Sequence, residues 1–154
     1  MKAVRLPAET LRPHGETLQF MQRMWALTHA LEVRSKSMGK TLGVTGPQRL
    51  VIRIIGQMPS ASAGDISKTL GMHPSTLTGI LARLEAHTMI VRTTDPVDRR
   101  VARLQLTANG RRIDRERKGT VEAAVRRAMG RADASLIAST MTMLELLTSE
   151  LDRS

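Results

Sequence analysis

Arg99 and Arg100, beside Asp98 in the run Asp95-Pro96-Val97-Asp98-Arg99-Arg100, are the side chains best suited to engage another molecule. Paired guanidinium groups on a projecting turn can clamp phosphate oxygens or enter a narrow, electronegative cleft. A second set lies upstream: Ser75, Thr76, Thr78 and Arg83 share one side of a segment whose other side is Leu77, Ile80, Leu81 and Leu84. Small hydroxyls and one cation on such a face can hydrogen-bond base edges or phosphates. Nothing comparable points to catalysis. The four histidines (His14, His29, His73, His87) are scattered, and neither a His-x-x-x-His pair nor a Gly-x-Ser-x-Gly element occurs. Gly43-Val44-Thr45-Gly46 lacks the following lysine of a phosphate-binding loop. His29 and Glu32 have a spacing compatible with a metal, but a solvated helix-surface contact is the favoured reading. The absence of cysteine excludes disulfides, thiol switches and Cys-ligated metals. The chain is therefore read as a non-enzyme without metal or cofactor.

These groups need elements that project them. Ser62-Ala63-Gly64-Asp65 has the form of a capping box, Ala63, Ile66 and Leu70 mark one helix face, and Gly71 stands where that helix stops. Pro74 suits the first position of a second helix. Its apolar residues recur at i, i+3, i+4 and i+7, so one face is buried and the polar face is free. The pattern is a helix-turn-helix, whose second helix enters the major groove of DNA. Strands are predicted at Ile90 to Thr94 and Ala102 to Leu106, the latter alternating with Arg103 and Gln105, which places Arg99 and Arg100 on a hairpin tip. A solvated loop with surface ion pairs is the alternative for an isolated Asp-Arg-Arg. Directly behind a helix-turn-helix, a wing is favoured. Ser75 and Thr76 equally suit plain capping of the second helix, and His73 can cap it as well.

The remaining chain reads as helices. From about Glu16 to Lys40, Phe20, Met24, Leu27 and Leu31 form a stripe flanked by Met21 and Trp25, wider than a one-sided surface helix needs. After Gly46-Pro47, Leu50, Val51, Ile54, Ile55 and Met58 are expected to face inward until Pro59. Thr107 is expected to cap one long basic helix carrying Arg111, Arg112, Arg115, Arg117 and Lys118, with Asp114 and Glu116 interleaved. After a break near Gly130, Asp133 starts a last helix with Leu136, Ile137, Thr140, Met141, Leu144, Leu147 and Leu151 on its apolar side. Residues before Pro13 show no periodicity and are read as an arm. With one Phe, one Trp and no Tyr in 154 residues, the core must be aliphatic. The formal net charge of +10 favours a polyanionic partner. No apolar run approaches the ~20 residues of a membrane span, and no signal peptide is recognisable, so a cytoplasmic protein without a membrane partner is expected.

Asp95-Pro96-Val97-Asp98-Arg99-Arg100 followed by Leu106-Thr107-Ala108-Asn109-Gly110, with Leu84-Glu85 ending the second helix, resembles the MarR family of transcriptional regulators. The family's wing carries Asp-x-Arg, matched by Asp98 to Arg100, and then Leu-Thr-x-x-Gly. The resemblance covers nearly the whole chain. It implies an obligate homodimer on a pseudo-palindromic operator, usually a repressor released by a small ligand. It also implies that Arg100 is the minor-groove residue, oriented by Asp98. Two positions depart from the pattern. Thr88 stands where the family usually has glycine, in a turn a β-branched residue tolerates poorly. Gly79 replaces a larger polar residue and removes one base contact.

The chain is thus expected to be mainly α: a single domain over 1–154, with a winged helix-turn-helix at about 47–110, a two-stranded hairpin wing, and dimerisation helices at about 14–45 and 111–152. Ser75, Thr76, Thr78, Arg83, Asp98, Arg99 and Arg100 are the expected residues for double-stranded DNA. The resemblance implies an effector pocket for a phenolic or other aromatic acid between the dimerisation helices and the winged domain. Met21, Met24, Trp25, His29 and Arg49 are candidates to line it, although a Met/Trp stripe at helical spacing reads as core as well. Two alternatives stay open: a sequence-tolerant architectural DNA-binding protein, and an interaction module that has lost DNA binding.

Overall fold

The computed structural model describes residues 15–153. The expected arm before Pro13 lies outside the described residues. The elements run α1 (Gly15–Leu42), α2 (Gly46–Gln57), α3 (Ala63–Leu70), α4 (Pro74–Ala86), β1 (Ile90–Thr94), β2 (Ala102–Leu106), α5 (Ala108–Arg115), α6 (Val121–Met129) and α7 (Ala134–Asp152). The fold is mainly α, a winged helix-turn-helix with long helices on both flanks.

Local chemistry sets the ends of the elements. Thr45 caps α2 in a capping box with Gln48. Ser62 and Asp65 do the same for α3, with the Asp65 amide donating to Ser62 Oγ at 3.1 Å and the Ser62 amide to Asp65 Oδ2 at 2.9 Å. Gly71 closes α3 at φ 59°, a left-handed conformation that costs glycine little. β1 and β2 pair antiparallel with Ile90 opposite Leu106 and Thr94 opposite Ala102. The core consists of Val44, Val51, Ile52, Ile55, Ile66, Leu77, Leu81, Leu84, Met89, Ile90, Leu104 and Ile113, all buried and none aromatic. At about 25 cal/mol per Å² of buried apolar surface, such side chains supply the stabilisation an aromatic core would otherwise give.

The structure corrects two expectations. The basic segment is not one long helix: Glu116 leaves the helical conformation (φ −63°, ψ 132°), Gly119 adopts φ 70°, and Thr120 caps a new helix, α6. Glu116 stops α5 because its carboxylate accepts the amides of Arg117 and Lys118, both at 2.9 Å, in place of a further helical turn. On α2 the buried face is rotated: Ile52 is inside and Leu50 is exposed. Ile113 of α5 packs into the same core. The apolar side of the last helix is uncovered within this chain: α7 buries no residue, and α1 buries only Met38.

Candidate nucleic-acid interface

α4 turns its leucines inward and leaves its polar side in solvent. Leu77, Leu81 and Leu84 are buried, while Ser75, Thr76, Thr78, Gly79 and Arg83 are exposed. The N-cap is His73, whose Nδ1 accepts the Ser75 amide at 3.2 Å and lies 2.7 Å from Ser75 Oγ. The histidine thus caps the helix and holds the Ser75 hydroxyl at its mouth. Thr78, exposed, donates its hydroxyl to Pro74 O at 2.8 Å, so its oxygen can still accept. A Cβ at Gly79 would meet nothing within 4 Å, so this face is open where the family resemblance implies a larger side chain. Among the described residues neither Arg83 nor Arg99 has an ion-pair partner.

The wing is organised from its base. Asp98 Oδ1 accepts the Arg100 amide at 3.0 Å and Arg100 Nε at 3.4 Å. The Arg100 side chain is 93% exposed, so its terminal nitrogens remain available. Two residues that the sequence reading treated only as turn and strand positions prove central. Asp95, 7% exposed, accepts the Val97 amide at 2.7 Å and the Asp98 amide at 2.8 Å on Oδ1, and Arg103 Nε at 2.6 Å on Oδ2. The Asp98 amide foremost, then Arg103 and the Val97 amide, hold the Asp95 carboxyl down at about 2. An aspartate two residues before an exposed amide, followed by proline, is the sequence signal for such a turn.

The Leu-Thr-x-x-Gly element also acquires a physical reason. Thr107 caps α5 by accepting the Gly110 amide at 3.1 Å and donates its hydroxyl to Thr88 O at 2.6 Å. Gly110 is buried where a Cβ would collide with the Met89 carbonyl, so only glycine lets α5 approach the root of the wing. Thr88 itself sits at φ 53°, the left-handed turn in which the family resemblance leads one to expect glycine.

The residues expected to line an effector pocket are not brought together. Met21 and Trp25 border a shallow depression with Leu18 and Gln22 on α1. Met24 and His29 lie elsewhere along α1, with His29 exposed. Only Arg49 lines the larger groove, about 990 Å³, between α1, α2 and α6. Arg49 is 3% exposed and already occupied: Nη1 donates to Ile113 O at 2.6 Å, and Nη2 to Glu116 O at 2.5 Å and Glu122 Oε2 at 3.2 Å. Its Nε is buried and has no hydrogen-bond partner among the described residues. Burial pushes the Arg49 guanidinium below its ordinary value, and Glu122 partly offsets this. Beside it, Arg53 pairs with Asp114 at 2.6 Å and Glu122 at 3.2 Å, and the hydrogen bond to Asp114 foremost raises its pKa. Among the described residues no group of three or more His, Asp or Glu is placed to hold a metal, and no helix is long and apolar enough to cross a membrane.

A short turn between α3 and α4, a recognition helix with a free polar face and an arginine-tipped hairpin define the class: a winged helix-turn-helix protein. The MarR family model matches residues 44–102, from just ahead of α2 to the start of β2, and over that stretch the chain is similar to the MarR family of transcriptional regulators. An HTH-type transcriptional repressor of Mycobacterium tuberculosis is 28% identical over 109 residues, covering 71% of this chain and 78% of that one. The fold is shared with S. aureus MepR, solved as a DNA complex (TM-score 0.71, 19% identity, 89% of this chain and 99% of that one). It is also shared with the PcaV regulator of Streptomyces coelicolor, solved with its natural ligand (TM-score 0.68, 21% identity, 97% and 98% covered).

Proposed function

We propose that this regulator binds a pseudo-palindromic DNA operator as a homodimer and acts as a ligand-responsive repressor in the cytoplasm. The carrying observation is α4, which buries Leu77, Leu81 and Leu84 and leaves Ser75, Thr76, Thr78 and Arg83 exposed ahead of a wing whose Arg100 is free in solvent. Ser75 to Arg83 read the major groove, Arg99 and Arg100 contact phosphates and the minor groove, and Asp98 aims Arg100. The helices at about 14–45 and 111–152 form the dimer, with 47–110 as the DNA-binding unit. Exposed Phe20, Trp25, Leu27, Leu136, Met141 and Leu144 support that division, since helices with so much uncovered apolar surface call for a partner. Two-fold symmetry then places the recognition helices about one helical turn apart, ~34–36 Å, or a multiple of it.

The effector in this reading is a small aromatic or other apolar anion in the groove beside Arg49. Its binding would shift the operator-competent spacing by its difference in affinity for the two arrangements. The M. tuberculosis relative's name and the MepR–DNA and PcaV–ligand structures support repression, DNA and effector respectively.

The test is titration of the full chain against the DNA upstream of its own gene and a shuffled duplex at fixed, near-physiological salt. A preference of about a thousandfold or more is expected of a specific operator. The +10 charge favours a second reading, sequence-tolerant architectural binding, for which both duplexes bind equally with a steep salt dependence. Arg100→Ala should weaken operator binding by about 1–3 kcal/mol.

A further inference from the structure

We propose that Asp95, which touches no DNA in the reading above, is the positioning residue that sets where the wing presents Arg100, by tethering the wing tip to the start of α3 through Arg103. The inference rests on the proposed role of the wing in DNA binding. Both carboxylate oxygens of Asp95 are used, and each serves a different end. Oδ1 gathers the amides of Val97 and Asp98 and so shapes the tip, with Asp98 in turn holding Arg100 by its amide and Nε. Oδ2 grips Arg103 Nε at 2.6 Å. Arg103 reaches out of the hairpin: its Nη1 donates to Ser60 O at 3.4 Å and lies 3.8 Å from Asp65 Oδ2, the carboxylate of the α3 capping box.

The backbone reinforces the same link. The Ser60 amide donates to Leu104 O at 3.1 Å and the Leu104 amide to Ala61 O at 3.0 Å, joining β2 to the segment ahead of α3. A path of hydrogen bonds therefore runs from Ser60, just ahead of α3, through Arg103, Asp95 and Asp98 to Arg100, with the ion pair to Asp65 adding a contact to α3 itself. Without it the tip would hang on β1 and β2 alone, and a two-stranded hairpin is marginal by itself. A guanidinium that must enter a groove at fixed distance from α4 gains from a base that does not swing.

The geometry separates two jobs that substitution can separate too. Asp95→Asn keeps a carbonyl oxygen for the two amides and removes the charge that holds Arg103, so the turn persists and the tether is lost. The experiment measures affinity of the full chain for the tightest duplex enriched from a random pool, for wild type, D95N, R100A and the D95N/R100A double variant, with thermal melts alongside. Arg100→Ala is expected to weaken binding about ten- to a hundredfold. Asp95→Asn is expected to weaken it about five- to tenfold in the wild-type background and less than about twofold once Arg100 is gone, because the loss passes through that arginine.

Equal loss in both backgrounds overturns the inference, since Asp95 then acts on the fold in general. Wild-type affinity of D95N alongside a weakened R100A overturns it as well. An R100A variant that binds as wild type removes the wing from DNA recognition and takes the inference with it, a result distinct from the other two. Should D95N fail to fold, Arg103→Lys gives the same reading. Lysine keeps a cation near Asp95 but lacks the fork that spans Ser60 and Asp65, so it should show the same dependence on Arg100.

Discussion

From Val44 to Ile113, α2 to α5 and both strands each contribute at least one buried apolar side chain, whereas the 19-residue α7 buries none and the 28-residue α1 buries Met38 alone. Both regions draw on leucine, isoleucine, valine and methionine, so composition does not separate them. What differs is how their faces are closed. In the winged core, capping boxes, a left-handed glycine and a tight hairpin turn the chain back every few residues, and each apolar stripe meets another from the same chain. The long terminal helices have no such returns, and their stripes face outward. Stability in the first region is a property of one chain. In the second, under the homodimer proposed above, it is a property of concentration.

The largest effect expected inside the core comes from one methyl group. Gly110→Ala raises intrinsic helix propensity, yet its Cβ would drive into the Met89 carbonyl. The net loss should be roughly 3–5 kcal/mol, read by circular dichroism in chemical denaturation. A stability gain would show that the wing root and α5 part easily, and that the core is less closed than the terminal helices are open. Arg49→Met comes next. It removes the buried guanidinium shared by Ile113 O, Glu116 O and Glu122 at the joint between the two regions, a loss of about 3–4 kcal/mol that lysine should not restore. If Arg49→Met were neutral, the joint would owe its rigidity to α1 packing and not to charge.

How much of this was legible in the sequence follows the range of each interaction. The boundaries of β1 and β2, the Ser62 cap, Pro74 at the start of α4 and the Thr107 cap of α5 depend on neighbours within a few residues, and all were readable. The Glu116–Gly119 break was not, because a run of arginines shows no apolar period to interrupt, although Gly119-Thr120 is a stop followed by a cap. Leu50 was expected inside and Ile52 was not, because Arg49 takes an interior position on α2 that no hydrophobic pattern assigns to a cation. Asp95 was visible as a turn residue, but its partner Arg103 lies across the hairpin and its anchors Ser60 and Asp65 lie ahead of it in another element. The exposed polar face of α4 was legible because exposure on an amphipathic helix is periodic. A groove between α1, α2 and α6 depends on tertiary packing and has no local signature.

The terminal helices can be broken separately. Leu144, 52% exposed on α7, should matter little to the core and much to a dimer. Leu144→Asp is expected to convert a dimeric molar mass in light scattering to a monomeric one, while the core keeps a cooperative melt. Trp25, 59% exposed on α1 and the chain's single tryptophan, supplies an emission signal confined to the terminal region. A wild-type chain already monomeric would undo the assignment of these helices. Acid probes the other side of the comparison. Asp95 titrates at about 2 in the fold against an ordinary 3.8, so its contribution is complete above about pH 4 and is lost as pH falls toward 2. The difference in melting temperature between wild type and Asp95→Asn should therefore be full at about pH 5 and shrink at about pH 2.5. A constant difference would mean that charge is not what Asp95 supplies.

The smallest effect sharpens the comparison most, because it should touch one region only. Thr88 holds φ 53° between α4 and β1, a conformation that costs a β-branched residue of order 1–2 kcal/mol. Thr88→Gly relieves that strain and keeps the backbone bonds at the turn: the residue 88 amide to Glu85 O at 2.9 Å and Thr107 Oγ1 to residue 88 O at 2.6 Å. It gives up the hydroxyl's bond to His87 O, an exposed neighbour contact, and adds freedom to the unfolded chain. The balance should favour the folded state by about 1 kcal/mol or less, a rise of roughly 2–4 °C for a chain of this length. The dimer constant should stay as in wild type, since α1 and α7 are untouched. A lower melting temperature would mean that the threonine hydroxyl outweighs the strain of its own backbone. A changed dimer constant would mean that the root of the wing and the terminal helices are not the separate units their packing describes.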